Sequence, residues 1–386
     1  VDLPHVVYFG SEIDSLAFTI DSDREGFRFN LGLQSLDAGP LAIKETSLEG
    51  QLIVEELLLQ FTSNYEDEVL MNIKSWISRE DDVLQIHIDP ENLVLNSKPW
   101  NIEPENEILI GDQSWELNDF RLYRNNQFLR AGNDLEGVEK EHIGIEFQNF
   151  NLAALLSYLN PEDVLASGNM NGNLIIEEPF AETGLLADLT IRDFGVVGVP
   201  LGVLTLDAEA IGSSTYNFDL ALKEGDADLD LTGSYVANEQ AANLDMQLDL
   251  NEIKMEVIEN FSDGAITAAD GSFSGQIMVG GTTVDPEYDG FLDFNQAAFT
   301  VAMLDAPFVL PNERLRLDDE GVYMDNFRIV DANGNPFIIN GAVLTESFIN
   351  PEFDLSFSAD NFKALSSTEE DNELYYGTAI LTQQDR

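Results

Sequence analysis

The chain has 386 residues and carries 72 Asp and Glu against 18 Lys and Arg, a net charge of −54. So few cations cannot replace the counterions of a phosphate backbone, which excludes nucleic acid as a partner. Docking on anionic lipid head groups is disfavoured for the same reason. An apolar fraction of 44% with 24 Phe still supplies cores, so the chain is folded and solvated by its carboxylates rather than disordered.

The elements read in chain order are mostly strands. Phe27, Phe29, Leu31 and Leu33 alternate with Arg28, Asn30 and Gly32, and Leu84, Ile86 and Ile88 alternate with Gln85, His87 and Asp89. Leu152, Leu155, Leu156 and Leu159 have helical spacing and stop at Asn160-Pro161. The apolar stretch from Phe194 to Leu206 contains Gly195, Gly198, Pro200 and Gly202, and it is shorter than the roughly 20 residues a spanning helix needs. Tyr216, Phe218, Leu220 and Leu222 then alternate up to the turn Glu224-Gly225-Asp226. They are followed by Ala227, Leu229 and Leu231, and by Leu244, Met246, Leu248 and Leu250. A short helix is expected over Ile253 to Phe261, a turn at Asn333-Gly334-Asn335-Pro336, a strand through Phe353, Leu355 and Phe357, and a last short helix over Phe362 to Leu365. No long helices separate the strands, so a parallel βαβ fold is excluded, and the expected class is all-β and mainly antiparallel.

A period near 100 residues organises these elements. Gly168-x3-Gly172 and the strand after it align with Gly271-x3-Gly275, each following a short helix, and Tyr376-Gly377-Thr378 begins a third copy. Leu117-Asn118-Asp119-Phe120-Arg121-Leu122 matches Met324-Asp325-Asn326-Phe327-Arg328-Ile329 at twice that period, and strand ends are expected near Gly132, Gly233 and Gly341. Fixed-period self-similarity marks a stacked array. The segments are 1–150, a β-rich N-terminal repeat segment; 151–253 and 254–362, two β-repeat units; and 363–386, the start of a further, truncated unit. A start at Val1 and an end at Arg386 inside a repeat lead us to expect a piece of a longer protein.

Chemical motifs are missing. There is no cysteine, so disulfides, thiolate metal sites and Cys nucleophiles drop out. HExxH, Walker and GxGxxG patterns are absent, and Gly271-Ser272-Phe273-Ser274-Gly275 puts Phe where a nucleophile elbow needs Ser. His5, His87 and His142 are far apart, and His87 is expected on a solvated strand face. Asp226, Asp228 and Asp230 start like a calcium loop, but Leu231 and Ala237 occupy positions that require Gly and Glu, so a solvated polar face is expected there. No catalytic residue, cofactor or metal is expected, and nothing argues for an enzyme.

The run Pro351 to Phe362, leading through Asp371-Asn372-Glu373-Leu374-Tyr375-Tyr376-Gly377, resembles the TamB family, the inner-membrane-anchored AsmA-like subunit of the translocation and assembly module, in its Bacteroidetes-type form. The unit Gly271-x3-Gly275, Val279-Gly280-Gly281 and Asp285 to Gly290 is similar to the family's repeat, and the resemblance covers roughly residues 117–386. It implies an elongated, U-shaped sheet (a β-taco) whose inner face is an apolar groove. It also implies a periplasmic bridge carrying phospholipid between inner and outer membranes, and so a role in outer-membrane biogenesis. The partners implied are phospholipid acyl chains and an outer-membrane TamA-like barrel met by a C-terminal region outside this segment, with the full-length protein anchored in the inner membrane. At about 4.8 Å per strand, roughly 25–30 strands reach on the order of 120–140 Å. The groove residues expected from alternation are Phe218, Leu220, Leu229, Leu231, Leu244, Met246, Leu248, Ile277, Phe353, Leu355 and Phe357. Two other roles fit the same pattern: an outer-membrane protein assembly or secretion factor that holds strands by edge pairing, and a secreted structural or adhesive β-array.

Overall fold

A computed structural model describes residues 1–22, 26–181, 183–212, 214–238, 241–344, 351–366 and 377–382. The chain is all-β and antiparallel, with two short α-helices among the described residues. It divides into two compact units, one of residues 1–200 and 205–213, the other of residues 201–204 and 214–386.

In the first unit, β1 (Asp2–Tyr8), β2 (Ser11–Ser22), β3 (Gly26–Ala38), β4 (Leu41–Ile53), β5 (Glu56–Tyr65), β6 (Glu68–Glu80) and β7 (Val83–Ile88) form a meander in which each strand pairs with the next. β8 (Val94–Leu95) pairs with β6 and with β9 (Lys98–Pro99). After β10 (Asn101–Ile102), β11 (Glu107–Ile110) pairs with β7 and β12 (Trp115–Asn118). A second run orders β10, β13 (Phe120–Arg124), β14 (Gln127–Gly132), β15 (His142–Asn151), β16 (Ala166–Glu177), β17 (Gly184–Val196) and β18 (Val199–Ile211). Helix α1 (Ala153–Leu156) lies between β15 and β16.

The first unit contains a closed core. Met71, Leu95, Trp100, Leu122, Phe150 and Ala154 pack together, drawing on strands of both runs and on α1. Phe150 is fully buried, with the Trp100 ring at 5.5 Å. His87, expected on a solvated face, is half-buried: its ring lies 5.6 Å from that of Trp76, and Nδ1 is 2.7 Å from the Asn106 carbonyl. The alternation placed it on the correct strand but could not show that the loop around Asn106 folds over that face.

The second unit runs β19 (Thr215–Lys223), β20 (Ala227–Val236), β21 (Asn243–Lys254), α2 (Met255–Phe261), β22 (Ile266–Gly281), β23 (Pro286–Val301), β24 (Ala306–Leu310), β25 (Arg314–Asp318), β26 (Gly321–Asp331), β27 (Pro336–Leu344) and β28 (Glu352–Ala359). β23 pairs with β24 near one end and β25 near the other, and β26 closes over both. β29 (Phe362–Leu365) and β30 (Ala379–Leu381) form a separate pair. The helix expected over Phe362 to Leu365 is therefore a strand. Contacts with distant segments decide it: Phe362 stacks on Phe308 at 5.6 Å and packs against Phe337 at 5.3 Å, and the Lys363 amide donates to the buried Asp331 carboxylate at 2.8 Å.

Local backbone geometry recurs at the expected offsets. Asp119 and Asn326 both have left-handed φ, 46° and 50°, and the Phe after each packs into a core. Gly168 and Gly271 each follow a short helix and have φ of 129° and 81°. A Cβ there would lie 2.9 Å from the Arg192 carbonyl oxygen and 2.2 Å from that of Gln296, so both sites require glycine. Gly132 ends β14 as expected, but Gly233 and Gly341 lie inside β20 and β27. At Gly233 the backbone of β21 leaves no room for a side chain, which explains the glycine without a strand end. Tyr376 and residues 371–375 of the family-like run lie outside the described residues.

Removing a ring from the closed core should cost far more than removing one from an exposed strand. Phe150→Ala should lower the stability read from the first unit's urea transition by about 3–5 kcal/mol. Phe353→Ala, at a ring 68% exposed, should change stability by no more than about 0.5 kcal/mol.

Candidate functional site

The candidate site is one face of the sheet in the second unit. Opposed residues of antiparallel strands project to the same side, so the register traces rows across the sheet. One row runs Leu220, Leu231, Leu248, Ile277, Gly290, Leu317, Val322, Val343 and Phe353 through consecutive pairings. The next runs Leu222, Leu229, Leu250, Gly275, Leu292, Leu315, Met324, Gly341 and Leu355. A third begins Phe218, Gly233, Met246, Val279 and Tyr288. Eight strand crossings keep their parity because each irregularity, such as the extra residue of β21 between Leu250 and Ile253, lies beside these rows rather than within them.

All eleven expected groove residues lie on this face. Leu244 joins it opposite Tyr235, and Phe357 opposite Ile339. None of the eleven is buried: nine are partly exposed, Phe353 is 68% exposed and Phe357 55%. Sequence reasoning missed Leu292, Leu315, Leu317, Val322, Met324 and Val343. Leu315 and Leu317 do alternate with Arg314 and Arg316, but a five-residue strand is too short to stand out. The shift between Met324 and Phe327 hides which residues of β26 share a face.

Toward one end of the strands the face is covered. Met255 of α2 is buried in a cluster with Ala297, Leu310 and Phe327, against which Phe273, Phe294, Leu315 and Met324 pack. Phe362 of β29 closes a neighbouring cluster with Ala306 and Phe308. Glu259 fixes α2 by accepting a hydrogen bond from the Ala269 amide at 2.8 Å. Toward the other end no buried residue lies on the rows, and the face is open among the described residues.

The opposite face is polar, and its carboxylates are held by lysine and amide donors. Asp230 and Asp249 are directly opposed across β20 and β21, an arrangement that like charges resist. Donors separate them: Lys223 Nζ lies 2.7 Å from Asp230 and 2.6 Å from Asp228, and the Asn251 amide donates to both. Gln247 and Gln276 each donate to Asp249 at 2.6 Å, and Lys254 reaches Asp226 at 2.7 Å. The hydrogen bond from Lys223, followed by that from Asn251, holds the Asp228 and Asp230 carboxyls below the usual carboxylate range. Burial works to lower the Lys223 ammonium, but its two carboxylate partners outweigh this and leave it above the ordinary lysine value. No group of three or more His, Cys, Asp or Glu among the described residues could hold a metal ion.

The histidines do not converge. His5 contacts Asp14 at 2.6 Å, and His142 is buried, its Nε2 accepting from the Leu135 amide and its Nδ1 facing the Lys140 carbonyl. No described helix is long and apolar enough to cross a membrane. No family model, curated protein or solved structure matches the chain.

The lysine bridge should reveal itself through pH. Lowered carboxyl pKa values stabilise the fold above the unfolded value near 4, and that contribution is lost as pH falls through the folded values. Lys223→Met should therefore cost up to about 1 kcal/mol at pH 7 and low salt, an amount limited by the solvent-accessible setting of the pair. The difference from wild type should shrink toward zero below about pH 3 in urea titrations.

Proposed function

We propose that this chain is part of a lipid-carrying β-array that moves phospholipid by its acyl chains along the apolar sheet face. The observation that carries this reading is that two rows of Leu, Ile, Val, Met and Phe, interrupted only by glycines, cross from β19 to β28 with every apolar side chain except Leu222 left partly or fully exposed. A sandwich core would bury these side chains against a second layer, as the first unit does around Phe150. Water-exposed apolar rows on this scale call for an apolar occupant. A phospholipid crossing water exposes two chains of about 15 methylenes each, on the order of 20–25 kcal/mol at roughly 0.8 kcal/mol per methylene. A surface that repeats the same side-chain chemistry from strand to strand lets the chains slide without a deep minimum, and no residue needs a chemical role.

The resemblance to TamB proteins supports placing this activity in the periplasm, within a longer protein anchored in the inner membrane and meeting a TamA-like outer-membrane barrel. On that view the chain contributes to outer-membrane biogenesis and is not an enzyme. A second reading, an assembly factor that holds nascent strands by edge pairing, draws on β28, which among the described strands pairs only with β27.

Mass spectrometry of lipid retained by the natively purified chain separates the two. The lipid reading predicts co-purifying phospholipid, and a Leu248→Asp variant should retain about tenfold less, since a carboxylate in the middle of the rows must be desolvated by any acyl chain crossing it. A chain that folds but retains no lipid, or retains as much with Asp at 248, would count against it.

A further inference from the structure

Strand β29 rests on the apolar face of the second unit without belonging to the sheet that forms it. Among the described residues it forms a ladder only with β30 and none with the strands from β19 to β28. Single hydrogen bonds fasten it instead. The Lys363 amide donates to Asp331 at 2.8 Å, the Asn335 side-chain amide to the Asn361 carbonyl at 2.9 Å, and the Ser366 amide to the Leu304 carbonyl at 3.0 Å. Asp331 also accepts from the Asn333 and Asn335 backbone amides and from the Asn335 side chain, so its carboxylate stays satisfied when β29 lifts away. Asn361, with a left-handed φ of 56°, turns the chain out of the β28 ladder and onto the face, a conformation that asparagine adopts readily.

What β29 covers is a continuation of the open face. Phe362 is buried against Phe308 and Phe337, and Phe337 stacks at 5.5 Å on Phe357, whose ring is 55% exposed. Phe357 is paired with Ile339, two residues from Phe337, so both rings project to the same side of the sheet. An acyl chain that follows the face past Phe357 therefore meets the rings that Phe362 already occupies. We infer that β29 is a displaceable cover, and that Phe308, Phe337 and Ala306 beneath it form a seat for the end of an acyl chain, filled by Phe362 while no lipid is bound. The inference rests on the lipid-carrying reading above and names the segment that competes with the lipid. Phe362 and an acyl chain cannot hold one surface together, so lipid binding is coupled to lifting of β29, and the closed population lowers the apparent affinity. Helix α2 stays in place, because it is built into the sheet between β21 and β22 and Glu259 holds it to the Ala269 amide.

The test compares hydrogen exchange, read by mass spectrometry, in the full chain alone and after loading from vesicles of dioleoyl phosphatidylcholine. Loading should speed exchange in the peptide spanning residues 361–366 by about fivefold or more, as the bonds of the Lys363 and Ser366 amides open. The β26–β27 ladder, which does not depend on β29, should exchange as slowly as before. Phe362→Ala empties the seat and removes no ladder bond of the large sheet. It should raise the lipid retained per chain by about twofold or more, with strand content by circular dichroism checking the fold, and Phe362→Leu, which keeps an apolar occupant, should return most of the way to wild type. The exchange measurement is made on the unaltered chain and decides the question even where a variant fails to fold. Lipid bound with the 361–366 peptide as slow as before or slower, or a folded Phe362→Ala chain that retains no more lipid than wild type, would overturn the cover and leave lipid carrying standing. Failure of the wild-type chain to load any lipid would overturn the lipid-carrying reading and the seat with it.

Discussion

Parity of the β-ladder is the constraint on which the rest of the second unit depends. Side chains of a strand alternate between faces, so a one-residue slip in any pairing would carry half the apolar rows to the wrong side. From Leu220 to Phe353 the register never slips within the rows, and the irregular residues are displaced to their margins. Continuity of the apolar face and the hydrogen-bonded carboxylates of the opposite face both follow from this. The glycines serve the same end: Gly233, Gly275, Gly290 and Gly341 occur where a neighbouring backbone comes too close for a Cβ, and they keep strands in pairing contact across the rows.

The same alternating pattern has two outcomes in one chain. Around Phe150 and Trp100 short strands and the helix α1 fold over the sheet and exclude water, forming a conventional core. In the second unit the covering elements are a seven-residue helix and a four-residue strand, and they reach only one end of the face. Alternation specifies that one side is apolar. Whether that side is closed is decided by how much chain returns to lie on it.

Fold class was legible in the sequence because alternation and turn residues are local properties. Tyr216 to Leu222, Ala227 to Leu231 and Leu244 to Leu250 form the strands their spacing indicates, joined through Glu224-Gly225-Asp226. The eleven groove residues share a face because each lies in a strand whose parity the spacing defines. What was not legible depended on contacts between distant segments: the strand at Phe362 formed by packing on Phe308 and Phe337, the partial burial of His87, and the parity of Met324 beyond the irregular pairing of β26. The bridging of Asp228 and Asp230 by Lys223 and Asn251 was equally hidden, since Asn251 comes from the next strand.

Much of the net charge of −54 also acquires a place. Asp228, Asp230 and Asp249 lie on the polar face, held there by lysine and amide donors, and none of them enters the apolar rows. The central claim, that acyl chains occupy one face of this sheet, is tested most directly by photolabelling with a phospholipid that carries a diazirine in its acyl chain, followed by peptide mapping. Labelling concentrated at Leu231, Leu248, Ile277 and Leu317, with little at Thr232, Gln247, Asp249 and Gln276 on the opposite face, is the predicted result. Labelling spread equally over the two sets, or confined to the polar one, would contradict it.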